Sequence, residues 1–151
     1  MKRPAETERA RIAFKLERRF EKSRDVVFRA WTDPEILKLW WCPTGWTLAE
    51  IEVDLRVGGE YRIGMRRNTG GLTVYVKGVF LEVNSPEALV YTWTWENAFD
   101  GMPQTRVTVR FFSKGEATIV VLEHDGLPEI SVCLRHRSGW LAALERIQKI
   151  L

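Results

Sequence analysis

A chain of 151 residues is of single-domain size, and 45% hydrophobic with 28% charged residues is an ordinary composition for a globular protein that buries a sizeable core. The formal charge of +3 does not mark a nucleic-acid surface: residues 1–24 hold nine Lys/Arg against four Glu, a balance of +5, which leaves −2 for residues 25–151. Cys42 and Cys133 form no CxxC or metal-ligand spacing, and no apolar run approaches the roughly 20 residues that span a bilayer. The expectation is a cytoplasmic protein with no metal, no cofactor, no nucleic-acid partner and no membrane span.

Residues 1–11 are polar and charged and read as a flexible arm ahead of one domain at 12–151. Ile12, Phe14 and Leu16 alternate as in a strand, although Ile12, Leu16 and Phe20 also fit a helix. The strand is preferred because Ser23 and Asp25 then cap a short helix carrying Val26, Val27, Phe28, Ala30 and Trp31. Asp33-Pro34 restarts a second short helix with Ile36, Leu37, Leu39 and Trp40, which ends at Cys42-Pro43-Thr44-Gly45. Strands follow at Trp46 to Val53, Tyr61 to Met65, Leu72 to Val83, Ala88 to Trp95, Thr105 to Phe112 and Ala117 to His124. The turns between them are rich in Gly, Asn and Pro, and residues 96–104 make a longer loop.

The chain closes with its clearest helical period. Ile130, Cys133, Arg137, Trp140, Leu144, Ile147 and Leu151 recur at spacings of three and four, and Leu134 and Leu141 widen the stripe. Arg135 and Arg146 are placed on its other side or edges. Gly139 costs roughly 1 kcal/mol of helix propensity and lets a neighbour or guest approach. An unbroken meander implies an antiparallel sheet, and a sheet of six or seven twisted strands curls around the terminal helix.

The phrases VFRAWTDPEILKLWW (27–41), VDLRVGGEYRIGMR (53–66), GVFLEVNSPEALVYTWTW (78–95), TRVTVRF (105–111) and HRSGWLAALERI (136–147) resemble the START-like superfamily. Within it they are most similar to the family named for homologues of the activator of the heat-shock-protein-90 ATPase. Cys42 departs from the family's run, where a glycine commonly follows the Trp-Trp pair. The resemblance implies an α+β helix-grip fold with a curved antiparallel sheet wrapped around the C-terminal helix and two short helices after the first strand. It also implies a cavity between sheet and helix, suited to an apolar or aromatic small molecule. Members of the superfamily span ligand carriers, cyclases, self-sacrifice resistance proteins and co-chaperone domains, so a chaperone partner and a cyclase- or hydratase-like activity stand as alternatives.

Tyr61, Met65, Tyr75, Tyr91, Trp93, Val109 and Phe111 occupy alternating strand positions and Trp140 the facing helix stripe. Such residues give a pocket wall broad apolar surfaces with single polar handles, and they equally well fill a solid core. Trp40 and Trp46 join this candidate ligand-binding set, with the Trp40-Trp41 pair read as a core cap or a gate. Cys133 and His136 join it from the helix. Their spacing lacks the third group that nucleophilic catalysis or a metal requires, so His136 reads as structural or as a ligand contact. His124 and Asp125 point to opposite faces of a strand, and Glu123 is left undecided between inside and outside. Homodimerisation is compatible with the chain but is marked by no residue.

Overall fold

The computed structural model describes residues 12–151, and the arm expected at 1–11 lies outside the described residues. In order the elements are β1 (Ile12–Phe20), α1 (Arg24–Thr32), α2 (Pro34–Trp40), β2 (Trp46–Val53), β3 (Glu60–Arg67), β4 (Val74–Asn84), β5 (Ala88–Glu96), β6 (Thr105–Lys114), β7 (Ala117–Leu127) and α3 (Ile130–Ile150). All seven strands form one antiparallel sheet in the order β1-β7-β6-β5-β4-β3-β2. This is the helix-grip arrangement. Register shifts at Ile12/Phe14, Leu48/Glu50 and Phe80/Glu82 bend the sheet, as bulges do, and α3 packs on its concave face. Gly78 sits where the bending brings strands close, since a Cβ there would lie 2.0 Å from the Thr92 carbonyl oxygen.

The strand reading of Ile12–Phe20 holds: Leu16 and Phe20 are buried while Lys15, Glu17 and Arg19 are exposed. Several strand ends differ by one to three residues from the sequence reading, among them the start of β4 and the end of β7. Leu72 lies outside β4 and is 78% exposed. Asp125–Leu127 extend β7, because Asp125 pairs with Arg106 and Leu127 with Ile12.

Between the short helices, Asp33 accepts a hydrogen bond from the Glu35 backbone N–H at 3.0 Å, and Pro34 takes the first position of α2. Asp33→Ala removes that acceptor, and the expected result is a loss of about 1 kcal/mol in denaturant unfolding, with native spectra unchanged. The Trp40 indole N–H donates to the Ala30 carbonyl at 2.7 Å and ties α2 to α1. From there Trp31 packs edge-on against Phe111 at 5.6 Å, and Trp40 on Trp140 at 6.4 Å. The core therefore runs continuously from α1 through the sheet to α3.

The expected stripe of α3 holds at Cys133, Trp140, Leu144 and Ile147 but not at Ile130 and Arg137, and the buried face takes in Val132, His136 and Ala143 beside it. Val132, Cys133, His136, Trp140, Ala143, Leu144 and Ile147 are buried. Ile130 and Leu134 are 67% and 59% exposed, and Arg137 is exposed too. An arginine at that centre would need a buried counter-charge, so the helix turns the neutral His136 inward instead.

Candidate functional site

Along one side of α3 the sheet does not close fully. A cavity of about 260 Å3 opens there, walled by Trp40 at the end of α2, Trp41 and Pro43 just after it, Met65 of β3, Trp93 and Trp95 of β5, and Phe99 of the following loop. Arg135, His136, Gly139, Trp140, Ala142, Ala143 and Arg146 of α3 complete the wall. Trp41 stacks on Trp93 at 6.1 Å with planes inclined by 30°. Phe99 lies 4.9 Å from His136 and 5.2 Å from Trp95, under the Arg135 guanidinium at 4.4 Å. Its φ of +50° is in the left-handed region that aromatic side chains rarely adopt, a strain that functional loops commonly hold.

His136 in this wall and His124 behind it have their rings 5.2 Å apart. His136 Nε2 accepts from the Trp95 indole N–H at 2.9 Å, so its proton resides on Nδ1, which donates to the Val132 carbonyl at 2.8 Å. His124 Nδ1 accepts from the Trp140 indole at 3.2 Å. Its Nε2–H then donates to Thr105 Oγ1 at 2.8 Å, and that hydroxyl donates onward to the Trp93 carbonyl at 3.1 Å. Each ring is neutral with both nitrogens engaged. Burial lowers both pKa values, that of His124 to about 3, with the neighbouring His136 adding to the effect. His136 is lowered first by burial and further by Arg135, against an opposing bond to the Val132 carbonyl.

The predicted ligand set divides. Trp40, Met65, Trp93, His136 and Trp140 come together in the cavity wall. Tyr61 and Tyr91 instead face a small void of about 30 Å3 beside Trp31 and Phe80, room for about one water. Tyr61 donates its hydroxyl to the Thr92 carbonyl at 2.6 Å, and burial raises both phenols, so they stay protonated at neutral pH. Val109 and Phe111 are fully packed against β7 and α1, away from the cavity. Tyr75 lies on the outer face of the sheet, where its ring covers Gly64 and carries the Arg62 guanidinium at 3.5 Å. Trp46 lies at the start of β2 under Arg67, outside the cavity wall, and Cys133 packs with Leu127 and Val132. Glu123 faces outward, because Val120, Leu122 and His124 take the inner positions of β7. Among the described residues no cluster of three metal-ligating side chains occurs, and no helix is long and apolar enough to cross a membrane.

The family model described as activator of Hsp90 ATPase homolog 1-like protein matches residues 21–151. The chain belongs to that family. Among solved structures, this Hsp90-activator-like chain is similar to a protein from Chromobacterium violaceum at 24% identity and TM-score 0.83, covering 91% of this chain and 95% of that one. It is also similar to an AHSA1 protein from Silicibacter pomeroyi at 25% identity and TM-score 0.78, over 91% and 96% of the two chains. A third is an HSP90 activator from Plasmodium falciparum, at 26% identity and TM-score 0.70, covering 92% and 95%. None of the curated proteins matches at a significant level.

Several wall residues of this family member escaped the sequence reading. Trp95 shares the parity of Trp93 on β5 and was visible in that alternation. Arg135, Ala142 and Arg146 repeat with Gly139, the one of the four already read as a place where a guest could approach, at spacings of four, three and four, a second stripe beside the buried one. That stripe of two small residues bracketed by arginines was the available signal. Phe99 carried none, since no period runs through the loop.

Proposed function

We propose that this protein binds a small apolar or aromatic molecule in the cavity beside α3 and does no chemistry on it. The supporting observation is an open, tryptophan-walled cavity in which His136, and His124 behind it, are neutral and have both ring nitrogens occupied. An acid or base needs a nitrogen free to meet the substrate, and the buried tyrosines titrate too high to replace it. Burial of an apolar ligand contributes about 25 cal/mol per Å2, which supplies affinity without catalytic groups. Native mass spectrometry after gentle purification tests the reading, together with tryptophan emission during titration with aromatic and acyl probes. A bound mass that leaves on denaturation, or saturable quenching, is expected. Neither a bound species nor an emission change with any probe would sink it.

A second reading rests on the family itself, described by activation of the Hsp90 ATPase, and on the similarity to the Plasmodium falciparum HSP90 activator. In that reading the chain binds an Hsp90 chaperone through an outer surface. Adding it in stoichiometric amount to a purified Hsp90 would then raise the ATPase rate, and an unchanged rate with no complex on gel filtration would dismiss it.

A further inference from the structure

We propose that the cavity selects an anionic ligand, an aromatic or acyl carboxylate whose head pairs with Arg146 while its apolar body lies against Trp93, Trp140 and Met65. This rests on the cavity reading above and adds the polar half of the ligand. The hydrogen-bonding inventory of the wall and of His124 behind it carries it, because the side-chain acceptors there are occupied. His136 Nε2 receives Trp95, His124 Nδ1 receives Trp140, and the Trp40 carbonyl receives Arg146 Nε at 2.7 Å. The donors are not all matched. Arg146 engages the protein through Nε, which leaves the four N–H groups of its terminal nitrogens. It is half-buried, and no carboxylate among the described residues comes within 4.0 Å of it. Cys42 is close but brings no counter-charge, since burial raises its thiol and keeps it protonated. The Trp93 indole N–H, buried in the same wall, has no acceptor among the described residues either.

A ligand bearing hydroxyl or ammonium donors meets no open side-chain acceptor in such a wall. A carboxylate meets a planar guanidinium and gains the strong, charge-assisted bond that this geometry favours. It also neutralises a cation that otherwise sits partly desolvated among tryptophans. Arg135 is the weaker candidate for the head. It lies 11 residues earlier on α3, about 16 Å along the axis, with its guanidinium spread on the Phe99 ring. The volume of about 260 Å3 lies just under the roughly 300–1,000 Å3 of drug-sized sites, so one or two rings fill it.

Isothermal titration of the full chain with 2-naphthoate and with its neutral isostere 2-naphthamide tests the charge directly. Naphthoate is expected to bind roughly tenfold or more tightly than naphthamide in low salt, a preference that shrinks as salt screens the pair. Arg146→Gln should bring the two probes to within about threefold of each other while leaving naphthamide binding in place, and Arg146→Lys should recover part of the preference. Equal affinities for the two probes in the unaltered protein would overturn the anion assignment and leave the cavity reading standing. Binding of neither probe would overturn the cavity reading itself. A preference that survives Arg146→Gln but vanishes in Arg135→Gln would overturn Arg146 as the partner of the head.

Discussion

Gly139→Leu is expected to raise the thermal midpoint of the protein while weakening aromatic-probe binding by roughly ten- to a hundredfold. The two effects have separate causes. Gly139 is a mid-helix glycine in α3, and replacing it with leucine recovers nearly 1 kcal/mol of helix propensity, worth about 2–4 °C for a chain of this size. A Cβ at this position meets nothing within 4 Å, so the folded protein accepts the first atom without strain. The open space is not a packing defect against another element, because Gly139 is exposed and lines the cavity. A leucine side chain there projects into the volume a ligand would occupy. Forcing extra methylenes into filled space costs about 1–3 kcal/mol, and about 1.4 kcal/mol corresponds to each tenfold in affinity. Gly139→Ala serves as the control, giving most of the stability gain with little loss of binding. Thermal melts and probe titrations on the same samples check both signs. A stabilised Gly139→Leu variant that still binds the probes as before would remove the cavity from consideration as the binding site.

How far the sequence revealed this arrangement depends on which physical signal each residue obeys. The alternation Tyr61, Ile63, Met65 and the Asp33-Pro34 helix start are local signals, and the fold follows them closely. The facing of α3 was harder, because Ile130 and Leu134 continue the apolar period yet are exposed to solvent. What decides the helix rotation is tertiary: Trp95 and Trp140 offer indole N–H groups that only His136 and His124 accept. Tyr75 shows the corresponding limit for strands. A period of two separates the faces but does not say which is inside, and an aromatic ring over a glycine with an arginine on top is stable outside as well. Residues such as Phe99 were out of reach of any periodic argument. The site is thus a place where side-chain pairing across distant segments overrides pattern.

That pairing gives the histidines a measurable signature in acid. His124 has a folded-state pKa of about 3 against about 6.5 unfolded, so below the unfolded value the unfolded chain binds the extra proton. The stability this residue contributes is present above pH about 6.5 and is lost as pH falls toward about 3. Within that window the loss is about 1.4 kcal/mol per pH unit, or roughly 2 kcal/mol between neutral pH and 5. His136, lowered in the same direction, adds to the slope. The structural cause is specific. A proton on His124 Nδ1 would face the Trp140 indole N–H, turning a hydrogen bond at 3.2 Å into two opposed donors beside the cavity. His124→Gln keeps one acceptor and one donor but does not titrate. It should therefore be less stable at pH 7.5, from imperfect packing, yet lose less stability on going to pH 5 than the unaltered protein. Urea unfolding at several pH values between 7.5 and 5 reads both quantities. If the two proteins lose stability in parallel over that range, the buried indole–imidazole pair at His124 is not what makes the fold acid-sensitive, and the slope belongs to other groups.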